Sequence, residues 1–180
     1  MNRLLFQDNL TRLANRKQFV IAFENSVKKS IQKQLNISLL LIELDGLKVI
    51  NKKYGHQSGD LVISTFATLL SKCIHFSDQV FRYGGDQFTV ILNHTEDTSI
   101  TDLVKQICNA LDSNDIMREF AITCTIGRAD VDRYDDFYSL VERTEQALNI
   151  KKNVPLTANI NNPLYDLYPN DLKMQESARR

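Results

Sequence analysis

The run Arg82-Tyr83-Gly84-Gly85-Asp86-Gln87-Phe88 constrains this chain more than any other segment. β-forming residues stand on either side of it, Gln79-Val80-Phe81 before and Phe88-Thr89-Val90-Ile91-Leu92 after. A Gly-Gly pair between two such runs predicts a tight hairpin, because both central residues of the favoured turn need positive φ. Glycines also let a bulky ligand approach the backbone, since no Cβ stands in the way. Asp86 then falls at the mouth of the hairpin, where a carboxylate can hold a cation. A hairpin needs no acid there to fold, so the turn reads as a site.

The rest of the chain alternates between helical and extended patterns. Phe19, Val20, Phe23 and Val27 recur at helical spacing and predict an amphipathic helix from Asn15 to near Gln34. The nearly continuous apolar run Ile37 to Leu44 fits a strand buried on both faces. A short helix is expected over Leu47 to Tyr54, and another over Gly59 to Ile74 with Leu61, Val62, Phe66, Leu69 and Leu70 inward. After the hairpin come a helix over Asp97 to Leu111, a strand over Phe120 to Ile126 and a closing helix over Asp135 to Lys151. This order argues an α/β (α+β) layer fold, with helices covering a mainly antiparallel sheet.

A chain of 180 residues fits one domain with short extensions. Its 22 basic and 22 acidic residues cancel, so no global field draws nucleic acid or an anionic membrane. No apolar run reaches membrane-spanning length, and the N-terminus lacks a signal-peptide pattern. Cys73, Cys108 and Cys124 are odd in number and lie in apolar segments, as expected of free thiols in the reducing cytoplasm. Pro155, Pro163 and Pro169 all follow Asn153, in a stretch rich in Asn, so the compact domain is expected to end near Lys152. Some helix-forming character returns around Asp171 to Glu176.

Gly84-Gly85-Asp86-Gln87-Phe88 resembles the signature of the GGDEF (diguanylate cyclase) family, with Gln87 where that family has Glu. Further matches follow in the family's order and spacing. Asp8-Asn9-Leu10-Thr11-Arg12-Leu13-Ala14-Asn15-Arg16 resembles the opening motif, and Glu43-Leu44-Asp45-Gly46-Leu47-Lys48-Val49-Ile50-Asn51 the Asp-x-Asp-x-Phe-Lys-x-Ile-Asn segment. Gly55-His56-Gln57-Ser58-Gly59-Asp60 and the late strand Thr123-Cys124-Thr125-Ile126-Gly127 complete the set. The resemblance implies a central five-stranded sheet with a βααββαβ core, related to the palm of nucleotide-polymerising enzymes. It divides the chain into a linker with the opening motif (1–14), the domain (15–152) and a linker and tail (153–180). Relatives carry sensor domains before this unit and a cyclic di-GMP phosphodiesterase (EAL) domain after it. A partner of either kind, or a homodimer, is therefore expected.

The resemblance also assigns roles. Glu43, the backbone carbonyl of Leu44 and Asp86 would hold Mg²⁺ (or Mn²⁺) on the phosphates of GTP. Glu43 stands where Asp is usual, and its extra methylene shifts or weakens the metal. Read from the residues alone, Glu43 is a carboxylate too costly to bury unpaired, or a strand-end acid already in solvent. Asp45 suits a helix cap as well as a ligand role. Lys48 would stabilise phosphate charge, or sit on a solvated helix face. Asn51 and Asp60 would read guanine; otherwise Asn51 caps a helix end and Asp60 is an exposed acid in a first helical turn. Gly84 and Gly85 would border the nucleotide, and Lys152 would contact its phosphates. Leu156 falls where the family's second phosphate-binding cation, an Arg, belongs. His75-Phe76-Ser77-Asp78 keeps only the Asp of the family's inhibitory Arg-x-x-Asp product site.

Gln87 is the main departure. Cyclisation needs charge stabilisation and help in removing a proton from the attacking 3′-hydroxyl. An amide is nearly isosteric with a carboxylate but is uncharged and takes up no proton. Two functions are therefore weighed. One is a degenerate, GTP-binding regulatory domain of cyclic di-GMP signalling; the other is an active diguanylate cyclase. Gln87→Glu separates the limits on either: with an intact pocket it raises cyclase activity or metal affinity. No gain in added Mg²⁺ or Mn²⁺ would place the limit at Glu43 or at the missing Arg.

Overall fold

In the computed structural model, residues 5–33, 36–93, 100–132 and 134–152 are described. The tail with its prolines, Leu156 and the expected helical stretch lie outside them. The elements are β1 (Ala14–Asn15), α1 (Arg16–Lys33), β2 (Ile37–Asp45), α2 (Leu47–Tyr54), α3 (His56–Cys73), β3 (Gln79–Gly84), β4 (Gln87–Asn93), α4 (Ile100–Ser113), α5 (Asp115–Glu119), β5 (Thr123–Asp130) and α6 (Phe137–Lys152). From β2 to β5 they follow the expected βααββαβ order, with α5 as an addition. No helix among the described residues is long and apolar enough to cross a membrane.

One five-stranded sheet runs in the order β1-β3-β4-β2-β5. Only β1 on β3 is parallel; the other pairings are antiparallel. Strand β2 lies between β4 and β5 and is buried along nearly its whole length, as its apolar run predicts. Alternation along it feeds two cores. Leu40, Ile42 and Leu44 join Phe88 and Val90 of β4 beneath Ile50, Val62, Phe66, Leu70 and Ile107 of α2, α3 and α4. On the opposite face, Leu39 and Ile91 pack with Phe19 and Phe23 of α1 and Leu140 of α6. Helices thus cover both faces, which is why β2 tolerates so few polar residues.

Two boundaries differ from the sequence expectation for local reasons. Helix α3 begins at His56 rather than Gly59, because Gly55 (φ +86°) both ends α2 and starts α3. The unexpected helix α5 is capped by Asn114, whose Oδ1 accepts from the Met117 amide at 3.2 Å. Phe120 is consequently the C-cap of α5, and β5 starts three positions later than Phe120, at Thr123, running on to Asp130. The segment Asp97 to Ser99 lies outside the described residues, and α4 begins at Ile100.

Helix α6 crosses β5 at Gly127. A Cβ on Gly127 would stand 2.4 Å from the Thr144 carbonyl oxygen and 2.7 Å from the Leu148 amide nitrogen, both backbone atoms of α6. The missing side chain therefore sets how closely α6 is seated, and with it the position of Lys152 at the helix end. Gly127→Ala is expected to destabilise the domain by about 1–3 kcal/mol, the usual cost of overpacking, since backbone cannot swing aside. Urea unfolding at constant m-value measures it.

Candidate functional site

The hairpin turn is one residue out from the simple Gly-Gly expectation. Strand β3 keeps Gly84, β4 starts at Gln87, and a bulge lies between Arg82 and Gly84. The connection is thus Gly85-Asp86, with φ +155° at Gly84 and +53° at Gly85. On the other edge of β4 the ladder to β2 is unbroken and sets Gln87 opposite Glu43. One slot further on, the Leu44 amide donates to the Asp86 carbonyl at 3.0 Å. Backbone pairing therefore brings Glu43, Leu44, Asp86 and Gln87 to one end of the sheet.

Arg82 clamps this turn. Its Nη2 donates to the Gly85 carbonyl at 2.9 Å, and its Nη1 to Asp8 Oδ1 at 2.8 Å. The same Asp8 oxygen accepts from the amide and hydroxyl of Thr11, each at 2.8 Å. Arg16 donates to the Tyr83 hydroxyl at 3.2 Å and lies 4.7 Å above its ring centroid. The opening motif and the signature are therefore one structure. The spacing of the two motifs does not announce this contact; the one local signal for it is Arg82, three residues before Gly85.

Glu43 is enclosed rather than in solvent. Its Oε2 accepts from Gln87 Nε2 at 2.9 Å, and its Oε1 is paired with the Lys152 ammonium. Burial alone would raise the Glu43 carboxyl. The hydrogen bonds from Gln87 and Lys152, with the charges of Lys152 and Lys48, outweigh it and hold the group below the ordinary range. Lys48 is exposed on α2 yet close enough for its charge to act there. Asp86 is half-buried, and its carboxylate makes no hydrogen bond or ion pair among the described residues. Asp45 does not cap α2. It accepts from Thr125 Oγ1 at 3.0 Å and Thr123 Oγ1 at 3.2 Å, tying the end of β2 to β5. The N-cap of α2 is Gly46, which has no side-chain hydrogen bond.

Asn51 and Asp60 form a second group at the α2–α3 junction. Asn51 does not cap with its side chain; its backbone carbonyl takes the Gly55 amide at 3.1 Å. The side chain instead fills the space left by Gly59, where a Cβ would meet Asn51 Oδ1 at 2.0 Å. That oxygen is buried and without a hydrogen-bond partner among the described residues. A buried acceptor left open costs stability, so it suits a ligand that brings an N–H. Asp60, the next residue, is exposed in the second turn of α3 rather than its first. Among the described residues no hydrogen bond or ion pair links this pair to the Glu43 group; what joins them is α2, which starts at Leu47 just beyond β2.

A divalent cation fits by donor type, since Glu43, Asp86 and the Leu44 carbonyl are all oxygen ligands. Among the described residues, no three His, Cys, Asp or Glu side chains cluster as a ready-made metal site. The product-site remnant is committed elsewhere: Asp78 Oδ1 accepts the Asn93 amide at 2.9 Å, and His75 Nδ1 lies 2.8 Å from Ser77 Oγ. All three cysteines are free, and burial pushes the Cys124 thiol up.

The chain belongs to the family described as "Diguanylate cyclase, GGDEF domain", whose model matches residues 5–155. It is 31% identical over 141 residues to diguanylate cyclase DgcS of Shewanella oneidensis, covering 78% of this chain and 47% of that protein. It is 33% identical over 146 residues to diguanylate cyclase DgcM of Escherichia coli, covering 81% and 36%. The chain thus spans about half or less of these curated relatives' length. Its fold matches the coiled coil and GGDEF domain of DgcB from Caulobacter crescentus, solved in complex with c-di-GMP, at TM-score 0.75 and 26% identity over 83% of this chain and 82% of that one. The GGDEF domain of YfiN from Pseudomonas aeruginosa matches at 0.73 and 26%, over 81% and 88%.

The Asp8 clamp carries a pH signature. Burial acts to raise the Asp8 carboxyl, but the Arg82 and Thr11 hydrogen bonds and the Arg82 charge leave it lowered. Its stabilisation is therefore complete above the unfolded value of about 3.9 and is lost as pH falls through the folded one. Asp8→Asn is expected to cost about 1–3 kcal/mol at pH 7. The variant should also lose less stability than the wild type between neutral and acid pH. Urea midpoints at both pH values check this; an equal acid loss would remove Asp8 as a contributor.

Proposed function

We propose that this domain binds GTP as a regulatory module of cyclic di-GMP signalling and cyclises it poorly or not at all. The observation that carries the reading is Gln87 Nε2 donating to Glu43 at 2.9 Å. The family's glutamate would bring a further carboxylate next to Glu43. The amide brings none and spends its donor on Glu43. Loss of a positioned proton acceptor costs about 10²–10⁴ in rate. Cation binding weakens as well, because the site carries one charge fewer.

Binding is supported by what remains. The buried acceptor on Asn51 and the exposed carboxylate of Asp60 suit the N1–H and N2 amino donors of guanine. Lys48 and Lys152 supply positive charge for the phosphates, and the Gly84-Gly85 turn admits them close to the backbone. Glu43, Asp86 and the Leu44 carbonyl would hold Mg²⁺ or Mn²⁺, which neutralises phosphate charge when bound. A neighbouring sensor or EAL-type domain would read the occupancy. A second reading, an active cyclase working as a homodimer, is favoured by the same retained residues, Asn51, Asp60 and Asp86 with both glycines.

Incubation of concentrated protein with GTP and Mg²⁺, followed by chromatography, separates the two. The regulatory reading expects no cyclic di-GMP above an Asp86→Ala control, with GTP bound in preference to ATP. Product above that control makes the domain a cyclase that works with Gln. Asp60→Ala is expected to erase the preference for GTP over ATP; unchanged discrimination would take base reading away from Asp60.

A further inference from the structure

Both oxygens of Glu43 are already taken, one by an amide and one by an ammonium. We propose that Lys152 is a built-in competitor for the cation site at Glu43, so that a divalent ion and the end of α6 occupy this carboxylate in turn. The inference rests on the reading of Glu43 as a cation ligand and adds what regulates it.

The geometry makes the exchange local. The body of α6 is fixed: Leu140, Thr144, Ala147 and Leu148 are buried, and the Gly127 contact seats the helix at Thr144 and Leu148. Beyond Leu148 no described side chain is buried, and Ile150 is 48% exposed. The last turn can therefore let go of Glu43 without opening the core. The pair itself is partly shielded, with side-chain exposures of 32% for Lys152 and 18% for Glu43, so its attraction is less screened than at an open surface.

The charges set the direction. A divalent ion approaching Glu43 meets the Lys152 ammonium, the Lys48 charge and the N–H of Gln87, all of which oppose it. It gains Glu43 fully only when Lys152 leaves. An anionic phosphate offers Lys152 an alternative partner, so cation and nucleotide phosphate assist each other, while the cation alone binds weakly. By linkage the effect is reciprocal, and anything that holds the α6 end on Glu43 lowers cation affinity by the same factor. Lys152 is thereby a determinant of cation affinity, and the end of α6 reports whether the site is filled.

Mn²⁺ alone, without nucleotide, is the probe, its binding followed by electron paramagnetic resonance of the free ion. Lys152→Met should bind Mn²⁺ about threefold to tenfold more tightly than wild type, the scale of a partly exposed ion pair. Lys152→Arg should stay within about twofold of wild type, since it keeps the charge. Lys151→Met removes an equal charge one residue away and should also stay within about twofold. Glu43→Gln should abolish the tightened site in the Lys152→Met background. If Lys152→Met leaves affinity unchanged while Glu43→Gln weakens it, the cation site stands and the competition falls. An equal gain from Lys151→Met means a general field rather than exchange at Glu43, and overturns the proposal. Mn²⁺ binding indifferent to Glu43 in every background overturns the cation reading itself.

Discussion

The pairing of β2 with β4 is the constraint on which the remainder of the site depends. Strand β2 is buried on both faces, so its polar chemistry is confined to its end. Antiparallel register then decides what faces that end, and it delivers Gln87 opposite Glu43. Shifting the register by one residue would turn Glu43 toward the opposite face of the sheet, and Leu44 with it. The bulge at Tyr83 is confined to the pairing of β3 with β4 and leaves the β2–β4 ladder unbroken. Burial of the strand and chemistry at its tip thus follow from one ladder of backbone hydrogen bonds.

A second constraint holds the turn in place. Gly85 has no side chain to pack, and its carbonyl is fixed by Arg82, which Asp8 fixes in turn. Charge-assisted hydrogen bonds of this kind are stronger than neutral ones, and here both terminal nitrogens of the Arg82 guanidinium are engaged. The turn's position consequently depends on a segment 74 residues earlier in the chain. Displacing the opening motif would free the guanidinium and loosen the glycine turn with it.

Replacing one acid by its amide changes the electrostatic character of the site more than its shape. With Glu at 87, two neighbouring carboxylates would repel unless a cation lay between them. With Gln the repulsion disappears, and Glu43 is satisfied by protein donors alone. The demand for a metal is lower, while the guanine-suited pair Asn51 and Asp60 is untouched by the exchange. The two groups sit on different elements, Asn51 and Asp60 on α2 and α3 and the Glu43 group at the end of the sheet, so a change in one need not disturb the other.

Much of this was legible in the sequence. The apolar run of β2, the helical spacing of α1, α3 and α6 and the Gly-Gly turn are local patterns, each set by side chains within a few residues of one another. The motifs named Glu43, Asp86, Asn51 and Asp60 for the same reason. The opposition of Glu43 to Gln87, the Lys152 ion pair and the Asp8–Arg82 clamp were not legible, since each joins residues far apart in the chain. Nor was the use of Asp45 by Thr123 and Thr125 rather than by α2. Local propensity and motif spacing determined which elements form and which residues are candidates for the site. Only the packed sheet decided which partner each charge meets, because a long-range contact depends on register and helix seating that no short window of sequence contains.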